Sequence, residues 1–130
     1  MSNVKRVSPR EAKALMDEGY VYVDVRSEPE FLAGRPTGSV NVPLFHMSPA
    51  GMSPNPDFLA TMQARFPKDA KLVLGCRSGN RSLRAAEILL AAGYTDIVEQ
   101  RAGYDGARGP FGNVTEKGWV SEGLPVEEGA

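Results

Sequence analysis

Seven consecutive residues, Cys76-Arg77-Ser78-Gly79-Asn80-Arg81-Ser82, gather most of the reactive chemistry in a chain of 130 residues. They follow the apolar run Leu72-Val73-Leu74-Gly75 and precede the largely apolar stretch from Leu83 to Ala92. Strand, loop and helix in that order put the sulfur at a helix N-terminus. First-turn N–H groups there have no helical acceptor, and a glycine lets successive amides turn toward one point. Such a nest of amides binds an anion. Here the anion is the sulfur of Cys76 itself.

A free cysteine ionises near 8.5, and helix N-termini or adjacent cations lower this to roughly 3.5–7.5. Arg77 and Arg81 bring positive charge to the two ends of the loop, and the hydroxyls of Ser78 and Ser82 are placed to donate to the sulfur. The expected product is a thiolate at neutral pH with no general base beside it. A cysteine closing a strand is otherwise a small buried hydrophobe. That reading leaves two arginines, two serines and a glycine without a role.

Composition narrows the rest. Cys76 is the single cysteine and His46 the single histidine, so an intrachain disulfide, a multi-cysteine zinc site and a His-rich metal site are all excluded. One free thiol fits a reducing compartment. Fifteen basic against sixteen acidic residues give a net charge of −1, which offers no basis for a nucleic-acid or anionic-membrane binder. No apolar run approaches the roughly 18–20 residues of a membrane span, and the start Met1-Ser2-Asn3-Val4-Lys5-Arg6 lacks the apolar core of a signal peptide.

The elements that must position the loop are legible as alternating strands and helices. Ser8-Pro9-Arg10-Glu11 opens a helix with a capping box and a first-turn proline, Ala12, Leu15 and Met16 form its apolar stripe, and Gly19 stops it. Tyr20 to Val25 is a strand covered on both faces, and Ser39 to Val42 a short one. Residues Pro43 to Pro54 read as a loop too rich in Pro, Gly and Ser for regular structure. Asn55-Pro56-Asp57 caps a helix carrying Phe58, Leu59, Met62 and Phe66, and Lys71 to Gly75 is the strand before Cys76. A helix runs from about Ser82 to Ala92, with Arg84 and Glu87 on its wet face and Gly93 as its stop. Ile97 to Glu99 is a last strand, and one helical turn lies near Trp119. This pattern predicts an α/β fold, a mainly parallel central sheet with helices on both faces. Residues 1–130 read as one domain, with a flexible N-terminus over about 1–6 and an irregular tail over about 104–130 packed on it. Sites in such sheets sit at the carboxyl ends of strands, where Cys76 stands.

At this point a resemblance is plain. Cys76-Arg77-Ser78-Gly79-Asn80-Arg81-Ser82 resembles the active-site loop of the rhodanese family of sulfurtransferases. Asp24-Val25-Arg26, then Glu30-Phe31, then Gly34 and the run Gly38-Ser39-Val40-Asn41-Val42-Pro43 resemble that family's N-terminal signature. Gly103-Tyr104-Asp105-Gly106, Gly118-Trp119-Val120 and Gly123-Leu124-Pro125-Val126 are similar to the tails of small plant plastid and cyanobacterial rhodaneses. The resemblance implies the rhodanese-like three-layer fold and a thiosulfate:cyanide type of sulfurtransferase. Cys76 would take the sulfane sulfur of thiosulfate or a persulfide, release sulfite, and pass the outer sulfur to cyanide or a thiol such as glutathione or thioredoxin. Arg77 and Arg81 would orient the anionic donor, and the loop from Arg77 to Ser82 would cradle the persulfide. It also implies no metal or organic cofactor; the charge balance gives no nucleic acid or membrane partner, and with nothing in the sequence predicting an oligomer a monomer is expected. The compartment it suggests is a bacterial cytoplasm, or a plastid stroma for a processed form.

Two rivals share these residues. Cysteine phosphatases and arsenate reductases use Cys-x5-Arg, a loop sized for a tetrahedral oxyanion, whereas Cys76 to Arg81 is Cys-x4-Arg; such a mechanism also needs an acid, for which Asp105 is a candidate that no flanking motif supports. A persulfide relay between proteins, with little thiosulfate activity, is the other. His46 invites a Cys–His pair but reads as a surface residue. Phe45, Met47 and Met52 either wall the pocket or fill core, with core slightly preferred. Asp24 and Arg26 read as a structural ion pair or as tuning of the site from behind, and Arg101 and Arg108 as a wider positive field or ordinary surface charge.

Overall fold

The computed structural model describes residues 3–130. In chain order its elements are β1 (Lys5–Val7), α1 (Pro9–Asp17), β2 (Val21–Asp24), α2 (Glu28–Ala33), β3 (Arg35–Pro36), β4 (Val40–Asn41), β5 (Phe45–Ser48) and β6 (Gly51–Pro54). They continue with α3 (Phe58–Arg65), β7 (Leu72–Gly75), α4 (Asn80–Ala91), β8 (Ile97–Gln100), β9 (Gly106–Arg108), β10 (Val114–Lys117) and β11 (Val126–Glu127).

Five strands form the central sheet in the order β1-β8-β7-β2-β4, every neighbouring pair parallel. Side chains alternate across it, as a pleated strand requires. Val23, Leu72, Leu74 and Ile97 face a core with Phe58 and Met62 of α3 and Ala85, Ala86 and Leu89 of α4. Tyr22, Val73 and Val98 face the opposite core with Ala12 of α1 and Trp119 of the tail. The central strands are therefore apolar at nearly every position, and the chain is an α/β fold with helices on both faces of a parallel sheet.

From β2 the chain moves outward to β4 on one side, then returns to β7 on the other, where Asp24 pairs with Gly75. The carboxyl ends of β2 and β7 thus diverge at a switch in strand order, where open α/β sheets form their ligand crevice. Cys76 is the residue after β7. The glycine before it is obligatory: a Cβ on Gly75 would lie 1.8 Å from the Tyr22 hydroxyl oxygen, well inside contact distance.

Several expectations are corrected. Residues 5 and 6 do not hang free; Lys5, Arg6 and Val7 pair with Val98, Glu99 and Gln100, while Met1 and Ser2 lie outside the described residues. The stretch from 43 to 54 holds an antiparallel hairpin, Phe45 paired with Pro54 and Ser48 with Gly51. Its Pro and Gly sit at the turn and at an end, where they interrupt no ladder, and the Asn55 side chain closes its base by donating to the Pro43 carbonyl at 2.9 Å. Helix α2 was not foreseen at all. α4 begins two residues earlier than expected, at Asn80. The tail is less irregular than predicted: β9 and β10 form a hairpin, β11 pairs with β3, and the turn at Trp119 is closed by bonds from the Glu122, Gly123 and Leu124 N–H groups to the Gly118, Val120 and Trp119 carbonyls.

Trp119 anchors that tail. It is fully buried, its ring meets Tyr22 edge-on with centroids 5.6 Å apart, and its indole N–H donates to the Pro125 carbonyl at 2.8 Å. Trp119→Ala is expected to cost about 3–5 kcal/mol in urea unfolding, the usual loss for a large buried aromatic. A loss below about 1 kcal/mol would mean that the tail is not part of the cooperative core.

Candidate active site around Cys76

The turn from β7 into α4 takes four residues, which is possible because Gly79 adopts φ +100°, a left-handed conformation that disfavours side chains. A Cβ there would also sit 2.2 Å from the Arg101 carbonyl oxygen. In this conformation the Gly79 N–H points back at Cys76 Sγ, 3.1 Å away. The Asn80, Arg81 and Ser82 amides follow in the first turn of α4, where the helix provides no acceptors. The tail holds the curl from behind, with the Tyr104 N–H on the Cys76 carbonyl at 2.8 Å and the Asp105 N–H on the Arg77 carbonyl at 2.9 Å.

Cys76 is only 2% exposed and forms the floor of a hollow of about 370 Å³. Phe45 and Met52 of the β5–β6 hairpin wall one side; Ser78, Asn80 and Arg81 wall the other. The slight preference for Phe45, Met47 and Met52 as core is thereby corrected for the methionines. Met47 and Met52 stand in the open on a two-stranded ribbon, and Phe45 alone packs partly against the core. His46 points to solvent on the same ribbon.

The arginines are not free cations. Arg81 grips Glu30 with two bonds, 2.7 and 3.0 Å, and Glu30 also accepts from the Ser27 N–H and hydroxyl at the start of α2. Burial alone would raise the Glu30 carboxyl, yet the hydrogen bonds from Arg81 and Ser27 outweigh it and hold it at about 2. Arg77 reaches away from the hollow to Asp105, 2.6 Å away. Asp24 and Arg26 form a buried pair, with Arg26 also donating to the Gly34 carbonyl and lying 4.5 Å over the Tyr104 ring. Arg26, Arg77, Tyr104 and Asp105 line a separate hollow of about 240 Å³. Arg101 is bound by Glu116, and Arg108 donates to the Gly112 carbonyl.

Ser82 behaves differently from what the sequence predicted. Its Oγ lies 3.2 Å from Cys76 Sγ, but it donates to Glu99 Oε2 at 2.5 Å, and Arg6 Nε binds the other oxygen of Glu99. Glu99 and Arg6 were missed by sequence reasoning. The signal was the alternation in β8: Ile97 faces α4, so Glu99, two residues on, places a carboxylate on that same covered face. Arg6 gave no local signal.

Glu30 yields a pH prediction. Its folded value lies below the ordinary 4.5, so the stability it confers is complete above that value and lost as pH falls toward about 2. The stability gap between the wild type and Glu30→Gln should therefore shrink across that window in urea titrations. A gap that does not change with pH would remove the Arg81–Glu30 pair as the cause.

Residues 8–108 match the family model described as Rhodanese-like domain. Rhodanese-like domain-containing protein 15, chloroplastic, of Arabidopsis thaliana is 38% identical over 122 residues, a match covering 94% of this chain and 60% of that protein, so the chain spans well under two thirds of that relative. Thiosulfate sulfurtransferase 16, chloroplastic, of the same plant is 36% identical, with 93% and 91% covered. The crystal structure of Rv0390 from M. tuberculosis superposes with a TM-score of 0.80 at 31% identity, covering 98% of this chain and all of that one. With the loop, the sheet order and these relatives in agreement, the chain belongs to the rhodanese-like family.

Proposed function

We propose that this protein is a sulfurtransferase that moves sulfane sulfur from thiosulfate or a persulfide to cyanide or a thiol through a persulfide on Cys76. The observation that carries the reading is the placement of the Cys76 sulfur: on the floor of a hollow, under an amide, at the amino end of a 12-residue helix. Relatives named thiosulfate sulfurtransferases support thiosulfate as donor.

The Cys76 thiolate attacks the outer sulfur of thiosulfate, a new S–S bond forms, and the old S–S bond breaks with its electron pair leaving on sulfite. The acceptor then attacks the outer sulfur, and Cys76 leaves as thiolate. This is covalent catalysis in two displacements, with ping-pong kinetics. The Gly79 N–H holds the inner sulfur, and the first-turn amides of Asn80, Arg81 and Ser82, which have no helical acceptor, are the donors proposed for the outer one. Ser78, Asn80 and Arg81 frame the donor. Arg81 acts with its charge shared by Glu30, and Arg77, turned to Asp105 outside the hollow, adds only to the wider positive field that draws anions. Asp24 and Arg26 brace the carboxyl end of β2, with Arg26 reaching the Gly34 carbonyl and the Tyr104 ring of the tail.

A four-residue spacing between Cys76 and Arg81 favours sulfur over a phosphate or arsenate oxyanion, and Asp105, the candidate acid for that chemistry, is occupied by Arg77. For location, relatives named as chloroplastic support the plastid alternative over the cytoplasm.

Incubation with thiosulfate followed by intact mass measurement tests the covalent step. A gain of about one sulfur atom is expected, reversed by cyanide, absent in Cys76→Ser and retained in His46→Ala. No gain from thiosulfate, with a gain from a protein persulfide, would select the relay between proteins. Faster turnover of an aryl phosphate than of thiosulfate would select the phosphatase reading.

A further inference from the structure

Ser82 has one hydroxyl proton and two neighbours that want it. Glu99 as a carboxylate can only accept, and its Oε2 lies 2.5 Å from Ser82 Oγ, so the proton points at Glu99. Ser82 therefore shows Cys76 a lone pair, across 3.2 Å. A thiolate facing that lone pair loses a hydrogen bond, whereas a thiol gains an acceptor. The resting arrangement is then S–H to Ser82 Oγ, and Ser82 O–H to Glu99.

We propose that Ser82 and Glu99 form a proton relay that generates the reactive thiolate of Cys76. The Cys76 S–H passes its proton to Ser82 Oγ while Ser82 passes its own to Glu99 Oε2. One S–H and one O–H bond break, and two O–H bonds form. The negative charge moves from Glu99 to sulfur, and no other reactant is needed. Ser82 then carries the proton on its sulfur-facing side and donates to the new thiolate, beside the Gly79 N–H. When the acceptor takes the outer sulfur, the same two protons step back. Ser82 and Cys76 touch the reacting atoms; Glu99 acts through Ser82.

The surroundings fix that carboxylate in place. Glu99 is fully buried, with Arg6 on its other oxygen, and Arg6 also reaches the Gly79 carbonyl at 3.3 Å. This ties the base to the same glycine whose amide holds the sulfur. The other ionisable groups turned toward this region are Arg81 from α4 and Tyr22 and Asp24 from β2. Burial keeps the Tyr22 phenol neutral, and Asp24 is held by Arg26.

The inference deepens the proposed sulfur transfer, and its test needs no sulfur donor, so the two can fail separately. The probe is iodoacetamide, a neutral alkylating agent that reads thiolate at the single cysteine, used from pH 5 to 10 on full-length wild type, Glu99→Gln, Ser82→Ala and the double variant. Both single variants should alkylate about tenfold or more slowly at pH 7 and reach the wild-type rate in alkali, and the double variant should be no slower than either. The opposite arrangement, with Ser82 donating to a resting thiolate, makes a different demand: Glu99→Gln would free the Ser82 proton and speed alkylation. An unchanged or faster rate in a Glu99→Gln protein that unfolds cooperatively overturns the relay. If Glu99→Gln does not fold, Ser82→Ala decides alone, since it keeps the Arg6–Glu99 pair; a wild-type pH profile there overturns it equally.

Discussion

A single backbone torsion underlies the arrangement of this molecule's reactive end. Gly79 at φ +100° turns strand β7 into helix α4 within four residues, and nothing but hydrogen fits between it and the Arg101 carbonyl. With that torsion in place, one amide meets the sulfur, the first turn of α4 opens toward the hollow, and Ser82 comes to lie between Cys76 and Glu99. The curl is expensive in conformational entropy, and the tail offsets this by bonding the carbonyls of Cys76 and Arg77.

Charge around the site is organised as pairs. Arg81 with Glu30, Arg77 with Asp105, Arg26 with Asp24, Arg6 with Glu99 and Arg101 with Glu116 place each of these guanidiniums against a carboxylate. Pairing of this kind adds little net stability at exposed sites and makes the loss of one partner costly at buried ones. Its greater effect is geometric. Three of the pairs, those of Arg81, Arg77 and Arg6, tie the loop or its carboxylate neighbour to another element, so the loop is positioned by α2, β1 and the tail together.

How much was legible in the sequence follows from the range of each signal. Helix α1 announced itself through Ser8 and Glu11, β2 and β7 through near-continuous apolar runs and β8 through Ile97-Val98, because those cues lie within a few residues. Ser27 and Glu30 offer the same box for α2, and it was passed over because only six residues of helix follow, too few to show a stripe. β1 and β11 are three and two residues long, and their partners lie at 98–100 and 35–36, so no local pattern could mark them. The site divides in the same way. The loop from Cys76 to Ser82 is contiguous and readable, whereas the partner of Arg6 is 93 residues away along the chain. Arg77 and Arg81 could be read as cations at the ends of the loop but their partners Asp105 and Glu30 could not, nor could the acceptor Glu99 of Ser82, because those acids come from other elements.

The parallel pairing of β1 with β8 also bears on how the molecule is made. A ribosome releases residues 5–7 long before residues 98–100, so the first strand of the sheet must wait for its neighbour while the intervening helices and strands emerge. Joining such distant segments is slow, because loop closure comes before any reward from contact. The carboxylate beneath Ser82 therefore acquires its guanidinium only once residues 5–7 and 98–100 have met.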